Sequence, residues 1–271
     1  MNLIKAFKKL IELQKPVEPQ FEPIAGTVAM HEANCEFYDP LWRDCDVIRP
    51  EKFNTWPMIQ EITAQSTRRL EVGPGLRPRL PLDRGTTFVD LSVPAVEKLK
   101  ACSADAIAGV VSSLPFADST FDVVCALDIV EHEEDDRGAL SELSRVAKPG
   151  AVFLVSVPLH PSRWQPFDTS VGHRRRYEPE EFFSMLKEHG FSIERSADYG
   201  MQPEHPRLVD FGMWLLETHR KESMWWYNKI FMPLGLMLQP KLETREGVGD
   251  PQIVDQILLI CRKSVDRPVT A

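Results

Sequence analysis

The chain contains no run of about 20 uninterrupted apolar residues, the length that a helix needs to cross a bilayer. Its first residues also lack a long apolar core followed by a small-residue cleavage site. These absences predict a protein that is neither secreted nor integral to a membrane, with a cytoplasmic location. The five cysteines are odd in number and lack the CxxC or Cys/His spacing of a zinc site, so we expect reduced thiols and no metal site.

Basic residues are outnumbered by acidic ones, 32 to 40. The formal net charge is −8, which repels phosphate backbones and argues against a nucleic-acid partner. The 271 residues are 43% hydrophobic and 27% charged, which is typical of a soluble globular protein. This composition and length predict one sizeable α/β domain with additions.

Strand and helix patterns alternate from residue 68 onwards. Seven strand candidates follow one another, most of them separated by helical patterns: RRLEV, TTFVDL, AIAGVV, FDVVCAL, AVFLVSV, FSIERSA and QIVDQILLICR. We therefore predict an α/β fold: a Rossmann-like, seven-stranded, mostly parallel sheet with helices on both faces. Only twelve residues separate Gly75 from Phe88, so the first crossover helix should be very short or absent.

Two segments lie outside this alternation. Residues 1–16 have the pattern of a short basic amphipathic helix, and residues 198–250 form a long aromatic insertion before the last strand. We divide the chain into an N-terminal helix, linker and cap (1–66), a core (67–197), a lid-like insertion (198–250), and a final strand and tail (251–271). Core packing and a contact with the inner face of the membrane are the alternatives for the two outlying segments.

The first strand ends in a glycine turn, Gly73-Pro74-Gly75, of the kind that lets a backbone approach a ligand closely. An ordinary βα turn is the alternative. A nicotinamide-dinucleotide fingerprint would need a third glycine where Pro78 stands, which argues against a dehydrogenase. Asp90 ends the next strand, where a carboxylate can accept hydrogen bonds from ribose hydroxyls or simply cap the following helix. Together the turn and Asp90 indicate a nucleoside-containing cofactor.

Five motifs carry a wider resemblance. In chain order they are LEVGPG (70–75), VDLS (89–92), LPFADSTFD (114–122), DIVEH (128–132) and ELSRVAKPG (142–150). In this order and spacing the chain resembles the class I S-adenosylmethionine-dependent methyltransferases of the type 11-like domain family. The resemblance covers residues 68–197 and resumes at the last strand. It implies methyl transfer with S-adenosyl-L-methionine as cofactor.

The resemblance also implies a set of cofactor-binding residues. Glu71, Gly73, Pro74 and Gly75 would line the methionyl and ribose side, Asp90 would hold the ribose, and Leu91 would contact the adenine. Backbone at Ala126 and Leu127 would meet the methionyl amino group. The family usually has an acid where Val110 stands, which leaves the adenine amine to backbone or to the neighbouring residues Val111, Ser112 and Ser113. Arg77 replaces a glycine that often completes the turn.

Three residues are candidates for a general base: Asp128, His132 and His173. Asp128 follows the fourth strand at the open edge of the sheet. His132 could instead satisfy the start of a helix, and His173 could belong to a salt-bridged surface with its arginine neighbours. Arg174, Arg175 and Arg176 are candidates to clamp a carboxylate or phosphate, with a solvated charge run as the alternative.

The acceptor is less well specified than the reaction. No Asn/Asp-Pro-Pro-aromatic tetrapeptide occurs, so the resemblance gives no support to methylation of DNA bases or glutamine amides. We expect a small-molecule or a lipid- or sugar-linked acceptor, methylated on oxygen, carbon or nitrogen. A catalytically silent cofactor-binding or regulatory protein is the alternative, and the sequence does not indicate an oligomeric state.

Overall fold

The computed structural model describes residue 42 and residues 45–200, 218–219 and 225–265. The predicted N-terminal helix at 1–16 and the part of the aromatic insertion that contains Trp214 lie outside these residues. Among the described residues, Cys102, Cys125 and Cys261 are free thiols.

One sheet of eight strands runs through the described chain. The strands are β1 Arg69–Val72, β2 Thr86–Asp90, β3 Asp105–Ala108, β4 Phe121–Leu127, β5 Ala147–Pro158, β6 Phe191–Asp198, β7 Thr244–Glu246 and β8 Gln256–Lys263. Their order across the sheet is β3-β2-β1-β4-β5-β8-β6-β7. Strands β1 to β5 pair in parallel, whereas β8 is antiparallel to β5 and β6. The mostly parallel Rossmann-like sheet is thus confirmed.

The strand count of seven is one too low. The extra strand, β7, lies within the segment predicted as an insertion and pairs with β6 at the edge of the sheet, with Arg195 opposite Glu246. Its three polar and charged residues have no apolar alternation, so periodicity could not predict it. Strand β5 begins at Ala147, four residues before the predicted strand AVFLVSV, and its register with β4 shifts between Phe121 and Val123.

Helices cover both faces of the sheet, as predicted. They are α1 Trp56–Thr63, α2 Val93–Ala101, α3 Asp136–Val146, α4 Pro166–Ser170, α5 Pro179–Glu188 and α6 Met232–Met237. On one face, Leu143 of α3 and Phe182 of α5 belong to the larger core cluster. On the other face, Ile59 of α1 and Leu99 of α2 belong to a second cluster.

The first crossover has no helix, which confirms that prediction. The chain passes from β1 to β2 through an irregular loop in which Leu76 and Leu80 are buried. Burial of these two leucines anchors the loop where a helix would otherwise pack.

Three aromatic side chains in the described part of the aromatic insertion are exposed. Trp225, Trp226 and Phe231 each expose more than half of their surface, so they do not belong to the core. Among the residues that the structure describes, no helix is long and apolar enough to span a bilayer.

Candidate functional site

A cavity of about 280 Å³ lies at the carboxyl ends of β1, β2 and β4. Because these strands are parallel neighbours, the loops that follow them meet at one edge of the sheet. Most of the residues predicted to bind cofactor or to act on the acceptor line this cavity: Glu71, Gly73, Pro74, Gly75, Asp90, Leu91, Val111, Leu127, Asp128 and His132.

The glycine turn needs both of its glycines. Gly73 and Gly75 have φ angles of +67° and +53°, in the left-handed region that favours glycine. A Cβ on Gly73 would lie 2.0 Å from Cδ1 of Ile129, and one on Gly75 would lie 2.5 Å from the ring of Trp42. Ile129 and Trp42 both line the cavity, so side chains at the two glycines would collide with its wall.

Asp90 connects the glycine turn to the end of β2. Its Oδ2 accepts a hydrogen bond from the backbone N–H of Gly75 (2.7 Å), and its Oδ1 accepts one from Ser92 N–H (2.8 Å). Ser92, and not Asp90, is the N-cap of α2, because its side chain accepts from Ala95 N–H. The helix-cap alternative for Asp90 is therefore wrong.

Glu71 is buried in the cavity wall. Its carboxylate accepts hydrogen bonds from the backbone N–H groups of Arg79 (2.9 Å) and Leu80 (2.8 Å), which fixes the loop after the glycine turn. Burial nevertheless raises the pKa of Glu71 to about 7, and the nearby carboxylate of Asp90 raises it further. Glu71 is thus a carboxyl group that titrates near neutral pH and that a cation in the cavity would ionise.

Asp128 lies just past β4, with a φ of +58° that turns the chain sharply at the cavity. Its Oδ1 accepts hydrogen bonds from the hydroxyl of Ser156 and the side-chain amide of Gln256. These contacts orient the carboxyl group, while burial raises its pKa above the ordinary value. Asp128 combines a fixed position with an increased proton affinity, which are the properties of a general base.

His132 also lines the cavity but is a poor proton acceptor. It ends a short 3-10 turn at Val130–His132, and its Nδ1 lies 3.2 Å from the carbonyl oxygen of Gly172. Burial, with a contribution from His173, lowers the pKa of His132 to about 3. The imidazole is therefore neutral at physiological pH and does not take up a second proton there.

His173 packs behind His132, outside the cavity wall. The centroids of the two rings are 4.8 Å apart. His173 Nδ1 lies 2.8 Å from Oδ1 of Asp168, and its Nε2 lies 3.8 Å from Oε1 of Glu131. Asp168 and Glu131 are both buried, so His173 is part of an internal polar cluster and not of a salt-bridged surface.

Two of the three arginines after His173 are not available for the predicted clamp. Arg175 pairs with Asp136 at 2.8 Å, and Arg176 pairs with the buried Asp168 at 2.9 Å. Both guanidinium groups are thus held in ion pairs within the protein. The alternative of a solvated run is also wrong for Arg176, whose side chain is 3% exposed.

The predicted adenine side is apolar. Leu91, Val110 and Val111 line the cavity, whereas Ser112 and Ser113 are exposed and lie outside its wall. A bridge between Val110 and Ser113 folds this turn back on itself, which explains why the two serines point away. The side chains at this end of the cavity thus offer packing surface in place of an acidic partner.

Several residues of the cavity wall were not predicted from the sequence, among them Trp42, Arg79 and Tyr199. The Arg79 guanidinium donates to the hydroxyl of Tyr199 (3.3 Å) and lies 3.5 Å from the ring centroid of Phe53. Proximity of Arg79 to the glycine turn is a signal that could have found it. Trp42 and Tyr199 reach the cavity through packing between distant parts of the chain, which no local pattern reports.

The fold and the cavity together define a class of nucleoside-binding α/β proteins. These have a mostly parallel sheet with helices on both faces, and a glycine turn and an acidic residue at the carboxyl ends of neighbouring strands. Comparison with known proteins gives the family. Residues 70–155 match the family model described as a methyltransferase domain.

Two relatives and one solved structure support this match. The protein YafE of Escherichia coli is 31% identical over 152 residues, which cover 52% of this chain and 70% of YafE. A probable S-adenosylmethionine-dependent methyltransferase of Mycolicibacterium smegmatis is 36% identical over 90 residues. That alignment covers 32% of this chain and 34% of the mycobacterial protein, so it spans about a third of that relative's length.

The crystal structure of an S-adenosylmethionine-dependent methyltransferase from Thermotoga maritima shares the fold, with a TM-score of 0.56 and 15% identity. It covers 88% of this chain and all of the other. The chain belongs to the family of S-adenosylmethionine-dependent methyltransferases. The family and its cofactor, S-adenosyl-L-methionine, are those that the sequence motifs imply.

Proposed function

We propose that the protein transfers a methyl group from S-adenosylmethionine to a small-molecule or a lipid- or sugar-linked acceptor. One observation carries this proposal: the glycine turn, Asp90 and Asp128 meet in a single cavity. Candidate cofactor-binding residues and a candidate base thus face the same space.

The cavity residues fit the cofactor. A turn with no room for a Cβ brings the backbone of Gly73 and Gly75 to the ligand, where the methionyl part would lie. The buried carboxylate of Asp90 would accept hydrogen bonds from the ribose hydroxyls, and Leu91 and Val110 would pack against the adenine. Glu71, at the wall, supplies a negative charge that complements the cationic cofactor.

Asp128 is the proposed proton acceptor. When bound, S-adenosylmethionine supplies a methyl group on a cationic sulfur that leaves as a neutral thioether. The proton lost by an acceptor hydroxyl or amine passes to Asp128, whose orientation Ser156 and Gln256 fix. His132 does not take this role, because its pKa of about 3 makes it too weak a base at neutral pH. Most of the rate acceleration would come from positioning and exclusion of water.

The aromatic insertion borders the open side of the site. A smaller cavity of about 50 Å³ shares Arg79 and Tyr199 with the larger one and is also lined by Pro240, Lys241 and Leu242. The backbone N–H of Asn54 donates to Oε1 of Gln239 (2.7 Å), which attaches this segment beside the cavity. The location supports a lid that encloses an apolar acceptor.

The exposed apolar side chains just before this attachment support the same role. Trp225, Trp226 and Phe231 are available to close over an acceptor or to contact a membrane surface that carries a lipid-linked one. In either case they would act on the acceptor and not on the cofactor.

Arg174 offers a contact for an anionic group on the acceptor. Its Nε and Nη2 atoms are buried without a hydrogen-bond partner among the described residues, and Nη2 lies 3.7 Å from Glu134. A carboxylate or phosphate would satisfy these donors.

The test is transfer of a labelled methyl group. The purified protein is incubated with methyl-labelled S-adenosylmethionine and a small-molecule and lipid extract of the source organism. We expect label in one product with the wild type and at least a tenfold loss of rate with Asp128→Asn, which keeps the acceptor for Ser156 and Gln256. Asp105→Asn, at the opposite end of the sheet, is the matched control and should retain full activity. Cofactor binding without label in any fraction would instead support the catalytically silent alternative.

A further inference from the structure

Glu131, His132 and His173 form a cluster of potential metal ligands. Glu131 and His132 belong to the turn after β4, and His173 follows α4. One carboxylate oxygen and one ring nitrogen from each histidine lie within 4.8 Å of one another. This separation lets the three atoms coordinate one ion after small adjustments.

Glu131 lacks the partners that a buried carboxylate needs. Its exposure is 0%, and neither Oε atom has a hydrogen-bond partner among the described residues. Nε2 of His173 lies 3.8 Å from Oε1 of Glu131. Buried polar groups are nearly always satisfied, so an orphaned carboxylate beside two imidazoles indicates a missing cationic partner.

Both histidines are held through Nδ1, and Nε2 of His173 faces this carboxylate. His132 Nδ1 faces the carbonyl oxygen of Gly172, and His173 Nδ1 faces the carboxylate of Asp168. Carbonyl and carboxylate oxygens only accept hydrogen bonds, so each Nδ1 carries the proton and each Nε2 of a neutral ring keeps its lone pair. Metal-binding histidines are typically held in this way by a second partner on the far nitrogen.

Asp168 is itself fixed in position. Its Oδ2 accepts hydrogen bonds from Arg176 Nε (2.9 Å) and from the backbone N–H of Gln165 (2.7 Å), while Oδ1 faces His173. Both carboxylate oxygens of Asp168 are thus held by hydrogen bonds within the protein. Asp168 would therefore act as a positioning residue for the imidazole of His173.

We propose that Glu131, His132 and His173 bind a divalent first-row transition metal ion, such as Zn²⁺, Co²⁺ or Mn²⁺. Two imidazole nitrogens and one carboxylate suit this class of ion and leave coordination positions open. His132 lines the cavity, so an ion held there faces the acceptor side. An oxygen of the acceptor could occupy an open position; this role rests on the proposed function, whereas ion binding itself does not.

The proposal replaces the expectation that the chain has no metal site. That expectation rested on cysteine and histidine spacing along the chain, whereas His173 meets Glu131 and His132 only in the folded protein. The spacing of the ligands along the chain is therefore not diagnostic.

The test uses the tag-free full-length protein after dialysis against EDTA. Titrations with Co²⁺, followed by visible absorption, and with Zn²⁺, followed by calorimetry, should each show saturation at about one equivalent. Glu131→Gln, His132→Gln and His173→Gln should each weaken binding at least tenfold, and Asp168→Asn should weaken it by about ten- to a hundredfold. His189→Gln, at the end of α5, is the matched control and should bind as the wild type does.

Two results would overturn the proposal. One is the absence of saturable binding near one equivalent to the wild type; the other is unchanged affinity in all three ligand variants. X-ray absorption of the wild-type Co²⁺ complex keeps the test valid if variants do not fold, because it must report two imidazole ligands. Affinity for S-adenosylhomocysteine is measured in parallel: metal binding without cofactor binding would contradict the proposed function alone, and the reverse would contradict only the metal site.

Discussion

Glu71 is the titratable residue whose ionisation should control cofactor binding. Its pKa is about 7 in the folded protein, and a bound cation favours the ionised carboxylate. Binding of cationic S-adenosylmethionine below pH 7 must therefore displace a proton, so affinity should rise between pH 6 and pH 8. The slope approaches about tenfold per pH unit at the acidic end for one linked proton.

Calorimetry at several pH values measures this dependence. Glu71→Gln, which cannot ionise, should flatten it, whereas Glu61→Gln on the exposed side of α1 should leave it as in the wild type. An affinity that does not change with pH in the wild type would contradict the electrostatic role of Glu71.

The same residue should affect stability. The pKa of Glu71 is raised above its ordinary value of 4.5, so the folded state binds more protons than the unfolded state between pH 4.5 and about 7. The contribution of Glu71 to the free energy of unfolding is thus present below this range and is lost as the pH rises through it. Denaturant titrations at pH 5 and pH 8 should show a larger fall in stability for the wild type than for Glu71→Gln. An equal fall in both would disprove the linkage.

Asp90 should be the largest single contributor to cofactor affinity. Asp90→Ala removes the acceptor for two ribose hydroxyls, a loss of about 2 to 4 kcal/mol, or well over tenfold in affinity. It also releases the N–H of Gly75 from its partner. Asp90→Asn keeps one oxygen and should cause a smaller loss. Calorimetry with S-adenosylhomocysteine measures both variants, and unchanged affinity in a folded Asp90→Ala protein would place the ribose elsewhere.

At the residue scale, the sequence predicted which residues meet in the cavity when those residues lie at strand ends. Gly73, Asp90 and Asp128 directly follow or end recognisable strands, so parallel pairing alone brings them to one cavity. Ser112 and Ser113 were included for their chemistry, but a local bridge turns them towards solvent. Nothing local could indicate that the carboxylate of Glu131 would be buried without a partner.

At the scale of elements, the aromatic insertion is the part most open to test. Trp225→Ala combined with Trp226→Ala should raise the acceptor KM several-fold. The melting temperature and the affinity for S-adenosylhomocysteine should stay nearly unchanged, because both side chains are more than half exposed. Deleting residues 1–15 should have the same selective effect if that segment serves the acceptor.

Trp164→Ala is the control for these variants, since Trp164 is also exposed but belongs to another part of the surface. It should leave the acceptor KM as in the wild type. A joint loss of melting temperature and cofactor affinity in the Trp225/Trp226 variant would mean that these residues stabilise the fold and do not form a lid.

Elements with a strong apolar pattern were predictable, and those without one were not. Strands such as β4 and β5 are buried along most of their length and read as apolar runs. Strand β7 is three residues long, polar and at the sheet edge, so only its pairing with β6 reveals it. The loop that replaces the first crossover helix was predictable because twelve residues with two prolines leave no room for a helix.

At the scale of the whole molecule, the order of strands and helices along the chain carried the fold. The alternation of strands and helices from β1 to β5 implies a parallel sheet, because each crossover brings the chain back to the end of the sheet at which the previous strand began. The glycine turn without a third glycine then separates this protein from nicotinamide-dependent enzymes. Under the proposed function, acceptor identity would depend on the proposed lid and on side chains from distant segments, which the sheet does not determine.

Direct binding of cofactor by calorimetry tests the central claim. The purified protein is titrated with S-adenosylmethionine, S-adenosylhomocysteine and NADH under the same conditions. We predict saturable binding of the first two at one equivalent, loss of that binding in Asp90→Ala, and no detectable heat with NADH. Tight binding of NADH with no signal from S-adenosylmethionine would contradict the account.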